Sequence, residues 1–337
     1  MKRIAVVILN YNGAEMLRRF LPSVTEFSPE ADVYVADNGS DDESCNVVSN
    51  EFPSVRLMRF DRNYGFAEGY NRAISQVNED YVVLLNSDVE VTPSWLCAMT
   101  EYLDSHPDVA ACQPKILSFH NRQLFEYAGA AGGFIDKWGY TYCRGRIFGT
   151  VEQDKGQYDT ITDVFWATGA ALMVRNADYK QNGGLDGKFF AHMEEIDFCW
   201  RLRSRGRRLV CIPASHVFHV GGATLKKENP RKMYLNFRNN LLMIYKNAPA
   251  QHLGSILRFR AVFDNVAAIK FLAAGDVAAF KAVRKARKDF KLMRSDFEEA
   301  RAENLSRAVS DSIPEMLDGS ILYLYYLRFK HIFSALK

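Results

Sequence analysis

Glu194, Glu195 and Asp197 crowd the start of an amphipathic run, Met193-Glu194-Glu195-Ile196-Asp197-Phe198-Cys199-Trp200-Arg201-Leu202. Carboxylates packed this closely repel one another, which raises a pKa and suits a general base that takes a proton from a hydroxyl. The same acids also suit the positive end of a helix dipole, so a structural role stays open. His216 and His219 follow an apolar run in Pro213-Ala214-Ser215-His216-Val217-Phe218-His219. An imidazole there can join a carboxylate around manganese and leave positions for diphosphate oxygens, or it can be a satisfied core residue.

A second set of polar residues sits where apolar runs stop. Asn10-Tyr11-Asn12-Gly13, Asp37-Asn38-Gly39-Ser40-Asp41-Asp42 and Asn86-Ser87-Asp88 each end such a run. In an open parallel sheet ligands bind beyond the carboxyl ends of the strands, so the three clusters would share one rim. An aromatic ring, base-reading carboxylates and a cation-binding carboxylate converging there would fit a nucleotide. Taken singly, each reads as a turn or a helix cap. Asn63-Tyr64-Gly65-Phe66-Ala67-Glu68-Gly69-Tyr70-Asn71 opens a helix whose free N–H groups would favour an anion. Neither a G-x-G-x-x-G fingerprint nor a P-loop is present.

The elements that must position these groups alternate in type. Strands are expected at Ile4–Leu9, Val33–Ala36, Val55–Phe60, Tyr81–Leu85 and Val109–Cys112, with helical spacing between them at Leu17, Phe20, Leu21 and Val24, and at Phe66, Tyr70, Ala73, Ile74 and Val77. That is the pattern of a mainly parallel sheet covered by helices. Residues 123–150 are rich in glycine and aromatics and read as an irregular hairpin or flap. A strand over Gly169–Val174, a helix over Glu195–Arg205 stopped by Gly206, and a strand over Leu209–Ile212 closed by Pro213 complete a catalytic domain, 1–225, with halves at about 1–117 and 118–225. Residues 226–337 change to helix formers with no clear strand, with helices over Tyr234–Lys246, Leu253–Ala274, Val277–Arg294 and Asp296–Ala308 and a short aromatic tail.

Composition narrows the class. With 337 residues, 48% hydrophobic and 25% charged, the chain can bury a sizeable core, and a net charge of +3 does not argue for nucleic acid as a partner. The six cysteines form no C-x-x-C pair, which suits a reducing compartment. Ile4 to Leu9 is too short for a secretory segment and reads as a first core strand, and no stretch reaches the roughly 18 apolar residues of a spanning helix. Lys281, Arg284, Lys285, Arg287, Lys288, Lys291 and Arg294 make a basic face with only Asp289 opposing. It is either a solvated helix face or a surface that meets anionic lipid, helped by Phe280, Phe290 and the aromatic tail.

The order of the motifs closely resembles the family-2 glycosyltransferases of the GT-A fold, in particular the bacterial rhamnosyltransferase-like branch. From residue 3 to about 245 it runs Val7-Ile8-Leu9-Asn10-Tyr11-Asn12, Asp37-Asn38-Gly39-Ser40, Asn63-x-Gly65-Phe66-Ala67, Leu84-Leu85-Asn86-Ser87-Asp88, Gly169-Ala170 before Met173-Val174-Arg175, Glu194-Glu195-Ile196-Asp197, and Phe218-His219 ahead of Gly221-Gly222. The resemblance implies an α/β, Rossmann-like mixed sheet flanked by helices. It implies a donor nucleotide held by Asn10, Tyr11, Asp37, Asn38 and the segment from Asn63 through Gly65 to Asn71, with Asn86, Ser87 and Asp88 at its phosphates. Asp88 and His219 would hold a divalent metal, Mn or Mg. Glu195 stands where the family places its base, usually an aspartate, which leaves Glu194 as the alternative and Asp197 as an orienting acid. Asn86 replaces the first aspartate of a strict D-x-D motif.

The activity implied by the resemblance is that of an inverting transferase, which moves a sugar from a nucleotide-diphosphate donor to a glycan or lipid-linked acceptor in cell-surface polysaccharide synthesis. For the donor, dTDP-rhamnose is the branch-level expectation. Trp166 and Gly169 are candidates for acceptor binding, with Trp138 and Tyr140 in the flap, although packing would also explain the aromatics. The expected location is cytoplasmic, at the inner face of the cell membrane. The rivals are a sugar-phosphate nucleotidyltransferase, whose glycine-rich, arginine-containing N-terminal loop is missing, and a non-catalytic nucleotide-sugar-binding module.

Overall fold

The structure, a computed structural model, describes residues 3–221 and 229–336. The expected boundary at 225/226 and Gly222 of the histidine motif lie outside the described residues.

The first half alternates β1 (Ile4–Asn10), α1 (Ala14–Phe27), β2 (Ala31–Asp37), α2 (Ser44–Glu51), β3 (Arg56–Arg59), α3 (Gly65–Ile74), β4 (Tyr81–Asn86), β5 (Val89–Val91), α4 (Cys97–Ser105) and β6 (Val109–Ser118). A flap of short strands follows, β7 (Gly133–Asp136), β8 (Thr141–Cys143), β9 (Arg146–Ile147) and β10 (Thr150–Val151), then β11 (Thr162–Asp163), β12 (Ala171–Arg175), α5 (Asn176–Gln181), α6 (Glu194–Ser204) and β13 (Arg208–His219). The C-terminal part is α7 (Pro230–Asn247), α8 (Ala250–Ala273), α9 (Val277–Met293), α10 (Glu298–Ser306), β14 (Met316–Leu317) and α11 (Ile321–Tyr326).

The main sheet runs β11-β13-β6-β12-β4-β1-β2-β3, with β5 paired to β13. Its β4-β1-β2-β3 portion is parallel, whereas β12 enters antiparallel between β4 and β6. The apolar run of β1 is continuous because both faces are covered: Ala5 and Val7 face the core under α3 and α6, while Ile4, Val6 and Ile8 face the core under α1 and α4. Burying each of these valine and isoleucine side chains is worth about 1.5–3 kcal/mol.

Two expectations change. Pro213 does not close the last strand, because β13 continues to His219 past a register shift between Ile212 and His216. A proline has no N–H for the ladder, and the bulge takes it out of the pairing while bending the strand. The C-terminal part also holds a strand, since β14 pairs in parallel with β7 and extends the flap sheet. The aromatic tail folds onto that sheet: Phe333 packs against Phe134 and Tyr158, and Tyr325 meets the hydroxyl of Thr150 at 2.7 Å.

Candidate active site

The three strand-end clusters meet on one rim. Parallel pairing sets Asn10 opposite Asp37, and Asn10 Nδ2 donates to Asp37 Oδ2 at 3.1 Å. Ser40 N–H donates to the other oxygen of Asp37 at 3.0 Å, a turn that Gly39 allows with a φ of +76°. Each carboxylate oxygen keeps a lone pair, and the buried Asn10 Oδ1 has no partner. Gly13 joins the clusters, because a Cβ there would lie 2.4 Å from Asn10 Oδ1 and 4.0 Å from Ser87 Oγ. Tyr11 stands exposed at the edge of this rim.

The third cluster meets the end of the bent strand. β5 pairs antiparallel with β13 so that Val89 faces His219, which brings the neighbouring Asp88 to the imidazole. His219 Nε2 lies 3.1 Å from Asp88 Oδ1 and 3.4 Å from Asn86 Nδ2. The other ring nitrogen, Nδ1, lies 3.4 Å from Glu126 Oε2, an ion-pair distance without the alignment of a hydrogen bond. Burial alone would lower the imidazole pKa, but the two carboxylates outweigh it and raise it to about 10. Burial would raise Asp88, and the His219 contact instead holds it below its ordinary range.

Among the described residues no three His, Cys, Asp and Glu side chains form a ready cluster for a metal ion. Asp88 and His219 nevertheless fit a two-ligand centre completed by donor oxygens: a carboxylate and an imidazole nitrogen converge, and Glu126 stands at the far side of the ring, where a metal-binding histidine commonly donates its second N–H to a carboxylate. Sequence reasoning missed Glu126, which lies in the glycine-rich flap with no motif around it.

The acid cluster follows a strained turn. Phe190, His192 and Met193 all have positive φ, between 67° and 74°, just before α6 begins. Such backbone in non-glycine residues persists only where its surroundings over-determine it. Here Asn239 Nδ2 of α7 donates to the carbonyls of Phe189, Ala191 and His192 at 2.8–3.0 Å. The carbonyl of Phe190 accepts from the N–H groups of Phe66 and Ala67 at the start of α3. That corrects the expectation of an anion at this helix start. Tyr64 N–H is taken by Asn38 Oδ1 and Gly65 N–H by Asn63 Oδ1, so the first turn is capped from within.

Within the cluster the three acids differ. Glu194 is buried and Glu195 half-buried, and one oxygen of each is out of reach of water with no partner. Burial pushes Glu195 up to about 7, and burial with the adjacent charge of Glu195 raises Glu194 as well. Gly169 borders Glu195, since a Cβ on it would lie 3.7 Å from Glu195 Cβ. The neighbouring Ala170 carbonyl accepts from Asn86 N–H at 3.0 Å, which connects the acid to the Asp88–His219 pair.

Several expected site residues are used elsewhere. Asp197 is fully buried, with Arg201 Nε at 3.0 Å, Lys246 Nζ at 2.9 Å and Asn247 Nδ2 at 2.8 Å, and these partners overcome its burial and lower its pKa. It ties α6 to α7. Asn71 spends its amide on Leu185 and Tyr179. Trp166 is buried flat against Gly133 and donates to the Phe134 carbonyl at 3.0 Å, so it packs the flap and presents no acceptor surface.

Residues 5–166 match the Glycosyl transferase family 2 profile, and the chain is similar to rhamnosyltransferases. The N-acetylglucosaminyl-diphospho-decaprenol L-rhamnosyltransferase of Mycobacterium tuberculosis is 28% identical over 232 residues, 64% of this chain and 75% of that protein. Rhamnosyltransferase WbbL of Escherichia coli K12 is 22% identical over 223 residues, 64% of this chain and 83% of that protein. Among solved structures, GalNAc-T7 with UDP, GalNAc and Mn2+ matches with a TM-score of 0.61 at 15% identity, over 94% of this chain and 58% of that one. TarS 1-349 of S. aureus in complex with UDP-GlcNAc matches with a TM-score of 0.55 at 15% identity, over 90% of this chain and 89% of that one. The fold is the expected GT-A arrangement. No helix among the described residues is long and apolar enough to cross a membrane.

Proposed function

We propose that this enzyme inverts the sugar it transfers, using Glu195 as base, and passes it from a nucleotide-diphosphate donor to a lipid-linked saccharide during assembly of a cell-surface polysaccharide. The observation that carries this reading is a half-buried, uncompensated Glu195, joined through Gly169 and Ala170 to the Asp88–His219 pair at the strand ends. Asp37, Asn10 and Tyr11 recognise the base of the nucleotide, and Asn38 and Asn63 shape the loop beneath it by pairing with each other at 3.1 Å.

Asp88 and His219 would hold the divalent cation, Mn or Mg, with Asn86 as a neutral neighbour. A cation bound there supplies positive charge against the diphosphate. Glu195 takes the proton of an acceptor hydroxyl. The hydroxyl oxygen forms a bond to the anomeric carbon from the face opposite the diphosphate, and the bond to the diphosphate oxygen breaks with its electron pair leaving on the nucleotide. Asp197 touches no reacting atom and keeps the helix of the base in place. The basic C-terminal helices meet an anionic membrane at its inner face, where a lipid-linked acceptor would be found. The decaprenol-diphosphate acceptor named for the mycobacterial relative supports this class of acceptor, and the rhamnosyltransferase names support dTDP-rhamnose as the first donor to try.

The test is a panel of dTDP-, UDP- and GDP-sugars with manganese or magnesium, read by thermal shift and by slow release of nucleoside diphosphate without acceptor. One donor should stabilise the protein and be hydrolysed only with metal. Pyrophosphate release from a nucleoside triphosphate and a sugar phosphate, with no response to nucleotide sugars, would overturn the reading.

A further inference from the structure

α8 buries two charged side chains, between Ile256 and Ala268, and leaves apolar ones exposed. Its inward side carries charge: Arg260 and Asp264 are 3% and 1% exposed. They pair with each other at 3.1 Å, and Asp264 also pairs with Arg287 of α9 at 2.7 Å. Its outward side carries Val262, Val266, Ile269 and Leu272, with Val262 and Ile269 59% and 62% exposed. The helix cannot roll to hide them, because that would pull Arg260 off the ring of Tyr140 and break the buried ion pairs. The C-terminal tail lengthens the same surface: Lys270 lies over the ring of Tyr326, and Leu327 and Phe329 beyond it are 67% and 75% exposed. From Val262 to Leu272 the strip runs about 15 Å along α8, and with Leu327 and Phe329 it makes a patch larger than a scattered surface residue.

The exposed charges of α8 and α9 are almost all of one sign. Along residues 250–294 the exposed charged side chains are basic except Asp276, whose carboxylate caps Ala279 N–H at 2.8 Å. Arg258 and Lys270 flank the strip on α8, and Lys281 and Lys288 stand exposed on α9. Two copies meeting face to face would bring these cations together, whereas anionic headgroups would neutralise them.

We propose that the outer face of α8, continued by the aromatic tail, seats the protein in the interfacial layer of an anionic lipid bilayer. This rests on, and deepens, the lipid-linked acceptor reading. The element that enters the lipid is α8, not the basic helix α9, whose Phe290 is buried in the protein core. The same helix backs the flap, with Phe259 stacked on Trp138 at 4.1 Å. The flap in turn pairs Gly133 with Trp166, three residues before Gly169 beside Glu195. A saccharide whose lipid tail stays in the bilayer would thereby be offered to the base from the flap side.

Flotation with vesicles of phosphatidylglycerol and phosphatidylcholine, against phosphatidylcholine alone, tests this at low salt. The wild type should float with the anionic vesicles, and Val266→Glu with Ile269→Glu should reduce binding at least about tenfold at unchanged Tm. Lys281→Glu with Lys288→Glu should abolish the preference for anionic vesicles. Ile269→Trp, which adds no charge, should add a blue-shifted emission that brominated lipid quenches and that the wild type lacks. Failure of the wild type to float, flotation of the double glutamate variant at the wild-type level, or no quenching of the emission added by Ile269→Trp would each overturn the proposal. So would a dimer in sedimentation that the two glutamates dissolve without affecting flotation. Acceptor-free donor hydrolysis reads the transferase proposal separately: its absence with flotation intact would sink that reading and leave the membrane surface standing.

Discussion

As the proposed base, Glu195 must lose its proton to act, yet it occupies a place that disfavours its charge. With its pKa raised to about 7 by burial, turnover should climb as pH passes through about 7, where the carboxyl ionises. Glu195→Gln should lower kcat by about 10²- to 10⁴-fold and remove that rise, with donor binding kept in a thermal-shift titration. Its stability effect has a defined sign. A carboxyl raised in the folded state costs nothing below its ordinary value of 4.5 and costs most above about 7, so Glu195→Gln should raise Tm at pH 8 and leave it unchanged at pH 4. Asp88 is the other residue with a sharp outcome. Asp88→Ala removes the carboxylate beside His219 Nε2, and metal-dependent donor affinity, measured by calorimetry with and without manganese, should be lost. Asp88, His219 and Glu195 were all legible in the chain as residue types at telling positions. Glu126 was not, because its partner His219 is brought to it only by the pairing of β6 with β13 and the fold of the flap.

Between elements, the contacts that matter join α6 and the turn before it to α7. The two N–H groups of Asn239 are shared among three carbonyls of a turn whose backbone is strained, and Asn239→Ala takes that donor from Ala191 and His192 while Phe189 keeps Arg238, at a cost of about 1–3 kcal/mol. The proposed base should then be less well held: kcat falls while the donor KM changes little, and Asn239→Ala adds no further loss to Glu195→Gln in the double variant. Asp197 acts on the same joint. Asp197→Ala leaves buried Arg201 without a carboxylate and Lys246 with Asp186 alone, and should cost about 3 kcal/mol in denaturant unfolding. Its lowered pKa means that the stabilisation is full above its ordinary value of 3.8 and is lost as pH falls through the lower folded value. In the sequence Asp197 belonged to the acid cluster. Only the arrival of Lys246 and Asn247 from α7 separates it from Glu194 and Glu195.

Across the whole molecule, the C-terminal helices are built into the catalytic half. α7 holds the base turn through Asn239 and α6 through Lys246 and Asn247, α8 backs the flap, and β14 completes the flap sheet. A chain ending at residue 228 should therefore lose fixed tertiary structure, seen as loss of the near-ultraviolet dichroism of its buried aromatics, and should not behave as a trimmed enzyme. Donor hydrolysis at wild-type rate by that shortened chain would refute the point.

The sequence by itself determined the alternation of strands and helices, the rim of polar strand ends and the family, because these depend on local periodicity and on motifs read within a few residues. The run Ile4 to Leu9 demanded a strand covered on both sides, and Gly39 demanded a turn. What only the tertiary structure decided is which polar groups remain free for chemistry. Asn63, Asn71, Asp197 and the N-terminus of α3 looked as available as Glu195, but each is consumed by a partner that folding brings to it. Hydrogen-bond satisfaction is a property of the packed interior, so the free acids at Glu194 and Glu195 stand out only after the donors and acceptors around them have been paired.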